Sequence, residues 1–232
     1  MSLPTVTGAG ASGTLLKMTS RKPRRLGRPP ASSSIETRQR IVAVAREAFA
    51  ELGFGVTTNA FIATKAGITT GALYHYFDSK AHIYQAVYDE VQEHVYGRFE
   101  AAVAGAGSFI EKFEAVLEAA HALNREDPSL ARFVGAARID MARHDDLRES
   151  LRDPVRQGNT FLVRLVDAGV SVGEIRVEDR DMVLAFMRTT LVGLTDAVSN
   201  DPRHHRVAVD AIRAVMEGRL LAVSRSTERE PS

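Results

Sequence analysis

The sequence predicts an all-α chain: a small N-terminal unit of three helices followed by a larger helical body. Three observations carry that expectation. Apolar residues recur at three- and four-residue steps over most of the chain, the period of a one-sided helix. Glycines and Asp-Pro pairs punctuate these stretches at helix-length intervals. Strand-like character is confined to residues 170–177, and Gly173 inside them argues for a loop.

Residues 1–34 are rich in Gly, Ser, Pro and Arg and poor in apolar side chains. They cannot offset the entropy of ordering and are expected to form a disordered basic arm. Met18 stands just before the basic cluster and is an alternative translation start. The first folded unit is placed at residues 35–82, the body at 83–225 and a C-terminal tail at 226–232.

From Ile35 a first helix gathers Ile41, Val42, Ala45, Ala48, Phe49 and Leu52 on one face, and Gly53 supplies its C-cap. Thr57 and Thr58 cap a short second helix with Ile62, Ala63 and Ala66 inward, and Gly67 makes the turn. A third helix covers about residues 70–77. Asp78 and Ser79 cap a long fourth helix carrying Tyr84, Val87, Tyr88, Val91, Val95 and Phe99 on one side. Further breaks fall at residues 105–107, 127–128, 144–145, 169–178 and 200–202. Asp-Pro at 127–128 and 201–202 reads as N-cap plus first helical residue, since proline lacks the N–H that would be orphaned there. The pair at 153–154 either starts a helix or kinks a longer one.

With 232 residues and 44% hydrophobic content the chain can bury a core of one or two domains. It has no cysteine, which excludes disulfides, thiolate metal sites and thiol redox sensing. No apolar run is long enough to span a bilayer, and residues 1–18 lack the basic and apolar regions of a signal peptide. A cytoplasmic protein with no membrane partner is expected. The net charge of +1 hides an asymmetry. Residues 1–30 hold six basic residues and no acidic one, leaving 24 basic against 29 acidic residues in the rest. A basic tail on a mildly acidic body points to a polyanion at the N-terminal end.

Residues 57–80 read TTNAFIATKAGITTGALYHYFDSK. Ala63 faces Gly67 four positions later, which lets two helices meet at a sharp angle, and Gly67 can adopt a positive φ. Ile62, Ile68, Leu73 and Phe77 are spaced to plug inward. Thr69, Thr70, Gly71, Ala72, Tyr74, His75 and Tyr76 are left on the rim and outer face of the third helix, with no acidic residue among them. Such a surface suits the major groove of DNA: hydroxyls bond phosphates or base edges, and alanine or aromatic faces meet thymine methyls.

This segment resembles the helix-turn-helix of TetR-type regulators, through Ala66-Gly67-Ile68, Gly71-Ala72-Leu73-Tyr74-His75-Tyr76-Phe77 and Ser79-Lys80. Residues 49–54 are similar to the end of that family's first helix. The resemblance is strong over about residues 35–85. It implies an all-α fold with an N-terminal three-helix DNA-binding domain and a C-terminal helical ligand-binding and dimerisation domain. It implies that Thr58, Thr69 and Thr70 meet phosphates from helix N-termini, as free N–H groups there favour. Gly71, Ala72 and His75 would face bases, Tyr74 and Tyr76 would meet phosphates or sugars, and Lys80 would meet a phosphate. The chain departs from the family pattern at Ala60 and Phe61, where a basic and then an acidic residue are common. It departs again at Ala81-His82, which removes a capping box.

The arm adds a second handle. Arg24, Arg25 and Arg28 flank a Gly-Arg-Pro core that resembles an AT-hook, an extended strip whose arginines lie in a narrow minor groove. Nonspecific phosphate attraction, or a mere solubilising tail, is the alternative, and either way the arm should steepen the salt dependence of binding. Other signals carry no chemistry. A G-x-G-x-x-G match at residues 8–13 sits in the tail without a strand–helix–strand unit. His204 and His205 are adjacent, about 100° apart on a helix, and make a poor metal pair. No catalytic motif is found, so no enzyme activity, cofactor or metal is expected.

The resemblance implies a homodimer through helices 181–199 and 202–223, with Met182, Phe186, Thr190, Gly193 and Ala197 on one and Ala208, Ile212, Val215 and Met216 on the other. It also implies an effector pocket among the middle helices, with the fourth helix carrying movement to the DNA-binding unit. Phe113, Leu117, His121, Phe133, Arg138, Met141, Phe161 and Phe186, with Phe109, offer an interior for a small apolar effector, His121 or Arg138 orienting a polar end. Double-stranded DNA is the expected partner, and a repressor released by an effector the expected function. An architectural DNA binder using the basic arm, with no effector, and an enzyme or ligand-binding protein reusing the fold are the rival readings.

Overall fold

The computed structural model describes residues 30–158, 160–196 and 201–220. Eleven α-helices and one 3-10 turn make up these residues, and no strand occurs among them. No helix among them is long and apolar enough to cross a membrane. Arg24, Arg25, Arg28, the C-terminal tail and the end expected for the last helix lie outside the described residues.

The N-terminal three-helix unit comprises α1 (Pro30–Val56), α2 (Asn59–Lys65) and α3 (Thr70–Leu73). Helix α1 starts at Pro30, ahead of the expected Ile35. Proline is pre-set for a first helical turn, and Ile35 adds nothing to the core because it is exposed. Ile41, Val42, Ala45, Ala48 and Phe49 are buried as the spacing predicts. Leu52 is not: it is 43% exposed. Gly53 follows with φ 75°, the chain turns, and Phe54 takes the place in the core instead. The Thr57 hydroxyl closes that turn by donating to the Gly53 carbonyl at 2.8 Å.

Gly67 ends α2 with φ 70°. Its N–H bonds the Thr64 carbonyl at 3.1 Å, and the next N–H, of Ile68, reaches back to Ala63 at 3.0 Å. Nothing lies within 4 Å of a Cβ built at Gly67. The glycine is required by backbone conformation and not by close helix approach. Helix α3 is shorter than expected, its last turn tightening as Tyr76 and Phe77 both bond the Leu73 carbonyl.

Helix α4 (Lys80–Val103) joins this unit to a body of α5 (Phe109–Glu126), α6 (Pro128–Arg143), α7 (Asp145–Ser150), α8 (Arg152–Gly158), α9 (Thr160–Ser171), α10 (Arg180–Asp196) and α11 (Pro202–Met216). Asp127 caps α6 and Asp201 caps α11, each with proline at the first turn, as the Asp-Pro rule predicts. The pair at 153–154 lies in the first turn of α8, so it starts a helix and kinks none. The break expected from Gly169 comes later. Helix α9 runs through Gly169, where a Cβ would meet Ile175 at 2.8 Å, and ends before Gly173, whose φ is 77°. Helix α11 ends at Met216, where Gly218 takes φ 66° and the Arg219 N–H caps the Ala214 carbonyl at 2.8 Å.

One hydrophobic core runs from α1 through α4 and α6 into α5, α9 and α10. Helix α6 packs along α1, so the body grips the N-terminal unit through two helices, α4 and α6.

Candidate nucleic-acid interface

The outer surface of the second and third helices is built by their caps. Thr58 accepts the Phe61 N–H at 3.1 Å, and Thr69 accepts the Ala72 N–H at 3.1 Å. Each hydroxyl uses a lone pair for this and keeps its own hydrogen for an outside acceptor such as a phosphate. Thr58, Thr69, Thr70, Gly71, Tyr74 and His75 are exposed, while Ala72 and Tyr76 are half-buried. Tyr76 packs on the core cluster. Asn59 donates from its amide to the Tyr74 hydroxyl at 3.1 Å. That bond brings the start of α2 and the end of α3 onto one surface. Beneath it, Ile62, Leu73 and Phe77 are fully buried, and Arg40 donates to the Ala66 carbonyl at 2.9 Å, fixing α2 to α1. Phe61, the departure from the family pattern, is 38% exposed, with the Lys65 ammonium 5.7 Å from its ring centre.

Lys80 is placed otherwise than expected. Its ammonium donates to the Phe54 carbonyl at 2.6 Å and the Thr57 carbonyl at 2.9 Å, and lies 4.3 Å from the centre of the Phe54 ring. The carbonyls at the end of a helix have no partner of their own, and a lysine satisfies them well. Burial holds its pKa below the ordinary value, against the pull of Asp146 and Asp140. In this structure Lys80 ties the end of α1 and the loop after it to the start of α4.

Sequence reasoning missed Asp140. This carboxylate is only 6% exposed. Its Oδ2 accepts the Phe54 N–H at 2.9 Å and the Tyr84 hydroxyl at 3.0 Å, so α6 holds the end of α1 and the start of α4 through one atom. Burial first, then the neighbouring Asp140 charge, pushes the Tyr84 phenol far up, which keeps it a donor. Phe49, Phe54, Phe133 and His144 pack around this centre. The signal was present: Phe133, Ala137 and Asp140 follow a helical step, so an aspartate occupies a core position.

A cavity of about 380 Å³ lies among the middle helices, walled by α4, α5, α6 and α10 with contributions from α8, α9 and α11. Of the expected pocket residues only Arg138 and Met141 line it. Phe113, Leu117 and Phe133 are wholly buried core side chains. Phe161 is buried against Tyr96 and Phe99, whereas Phe186 is exposed on α10 and edge-on to Phe113. His121 is also excluded: it is buried on α5 with its Nδ1 3.1 Å from Nδ1 of His205. Periodicity finds the inward face of a helix but not where neighbouring faces fail to meet, and this is what makes a cavity. The residues that do line it include Tyr88, Gln92, Tyr96, Asn124, Arg188 and His205.

The profile of bacterial regulatory proteins of the tetR family matches residues 41–87. The chain is 28% identical over 162 residues to the HTH-type transcriptional repressor KstR2 of Mycolicibacterium smegmatis, covering 68% of this chain and 78% of that one. Salmonella enterica GusR superposes with a TM-score of 0.67 at 26% identity, over 85% of this chain and 99% of that one. FadR from Bacillus subtilis, solved in complex with stearoyl-CoA, shares the fold with a TM-score of 0.63 at 21% identity, over 76% of this chain and 97% of that one.

Proposed function

We propose that the chain, which resembles TetR-family transcriptional regulators, is a repressor that binds a near-palindromic operator as a homodimer and leaves it when a small molecule fills the cavity of the body. The observation that carries this reading is the exposed, acid-free surface of Thr58, Thr69, Thr70, Gly71, Tyr74 and His75 on a rigid, capped support. Base contacts fall to Gly71, Ala72 and His75, and phosphate contacts to the threonines and tyrosines. The arginines of the arm, Arg24, Arg25 and Arg28, enter the adjacent minor groove.

One short recognition helix reads few bases. Two of them about 34–36 Å apart would meet successive major grooves and read both halves of a palindrome. Helices α10 and α11 are the dimer face on this reading, supported by Met182, Phe186, Val192 and Val215, apolar side chains left exposed in a single chain. The cavity favours an effector-responsive regulator over an architectural binder, which has no use for one. Helix α6 supplies the link, since it lines the cavity with Leu130, Val134, Arg138 and Met141 and holds the DNA-binding unit with Asp140.

Selection from random duplexes, followed by footprinting at several salt concentrations, tests the reading. Recovery of one short inverted repeat supports it. Uniform protection of AT-rich DNA would replace it with the architectural reading, and a folded dimer with no preference for any duplex would end it.

A further inference from the structure

The cavity is apolar over most of its surface, with Val95, Phe99, Leu123, Val134 and Leu191 among its walls. Against this background one side chain is out of place. Asn124 is 3% exposed, lines the cavity, and neither its amide nitrogen nor its amide oxygen has a hydrogen-bond partner. Buried polar groups are almost always bonded, so an amide on a cavity wall with neither atom bonded calls for an explanation. Arg138 repeats the pattern from α6. Its Nη2 pairs with Asp196, while its Nη1 is buried and unbonded.

The charges around the cavity point one way. Arg138 and Arg188 line it, and no aspartate or glutamate does. Among the described residues Arg138 is paired and Arg188 has no acidic partner. His205, the remaining titratable base on the wall, has its pKa lowered by burial and then by the neighbouring His121. A ligand bearing an ammonium group would find no counter-charge and two cations. A ligand bearing a carboxylate would find an uncompensated cation and unused donors on Asn124 and Arg138.

We propose that the effector of this cavity is an apolar organic acid, its hydrocarbon body among the aliphatic and aromatic walls and its carboxylate on the Asn124 and Arg138 donors in the field of Arg188. This rests on the cavity being the effector site. The two claims are separable, because ligand binding is measured on the free dimer and operator binding on its own.

Decanoate and 2-naphthylacetate, both acids, are compared with decan-1-ol and decylamine by calorimetry and thermal shift on the full chain. The acids should bind at least tenfold tighter than the alcohol, and the amine should not bind. Asn124→Leu should fold with unchanged or raised Tm, since it removes an orphaned amide from an apolar wall, and should lose at least tenfold in acid affinity. Arg188→Gln, an exposed substitution, should weaken the acids and leave decan-1-ol unchanged. Equal affinity for acid and alcohol, preference for the amine, or no binding of either acid would each overturn the proposal. If operator binding survives in that last case, the regulator reading stands without it.

Discussion

Asp140→Ala is the sharpest test of how the body holds the DNA-binding unit. The substitution removes the single oxygen that accepts both the Phe54 N–H and the Tyr84 hydroxyl, in a site closed to water. A hydrogen bond to a charged acceptor contributes about 1.5–3 kcal/mol, so losing both while leaving two buried donors unpaired should cost about 3–5 kcal/mol. For a chain of this size that lowers Tm by roughly 6–20 °C, at about 2–4 °C per kcal/mol. Asp140→Asn keeps the shape and one acceptor oxygen and should cost only about 1–2 kcal/mol. Tyr84→Phe removes one of the two bonds and leaves the ring stacking among Phe49, Phe54 and Phe133. Urea denaturation of the two single variants and the double variant gives a thermodynamic cycle. The double variant should be less damaged than the sum of the singles by at least about 1 kcal/mol, because both changes remove the same bond. Strict additivity, or an Asp140→Ala variant within about 0.5 kcal/mol of the parent, would refute the clasp.

Lys80→Met should lower Tm by removing the donors to Phe54 and Thr57, yet leave the salt dependence of operator binding unchanged; a slope shallower by about one would return Lys80 to a phosphate. Tyr74→Ala should weaken binding to all sequences alike, whereas His75→Ala should change the preferred base at one position of each half-site. If selected sites are identical for both variants, the division of roles is wrong. Met182→Asp should shift the sedimenting species from dimer to monomer and weaken operator binding with it. His121 and His205, amid Glu118, Arg125, Arg206 and Asp210, are both held below their ordinary value of 6.5, chiefly by burial. The unfolded chain therefore takes up protons first, so their contribution is complete above pH 6.5 and is lost as pH falls toward the depressed values. Replacing both with glutamine should flatten that part of the pH–stability curve, and an unchanged curve would count against the pair.

The helix-turn-helix was legible because local chemistry decides it. Thr58, Thr69 and Ser79 cap the helices that their position in the pattern assigns them, and Gly67 supplies the left-handed residue the turn needs. The Asp-Pro starts were legible for the same reason. Lys80 and the cavity were not, because each depends on contacts across the fold. Lys80 begins α4 but bonds the Phe54 and Thr57 carbonyls, more than twenty residues earlier. Asn124 looks in sequence like any polar residue near a helix end, and only the packing of α4, α6 and α10 leaves it facing a void.

Helix α6 joins the two sites through its own geometry. Leu130, Val134, Arg138 and Met141 form the cavity stripe, and Phe133 and Asp140 form the stripe turned to the DNA-binding unit. The stripes lie about 100° apart on one helix, so on the proposed reading a ligand that displaces the first would displace the second. Hydrogen bonds of 2.9 and 3.0 Å tolerate little movement before they weaken. The energies match the task. Taking a two-state protein from almost wholly one form to almost wholly the other needs about 5.5 kcal/mol of differential binding. On the proposed effector reading, a clasp of about 3–5 kcal/mol would be strong enough to hold the DNA-binding form and weak enough for a well-seated ligand to release. An effector that binds Asp140→Asn and the parent equally, and releases operator DNA from both with the same dose response, would show that movement reaches the DNA through α4 alone.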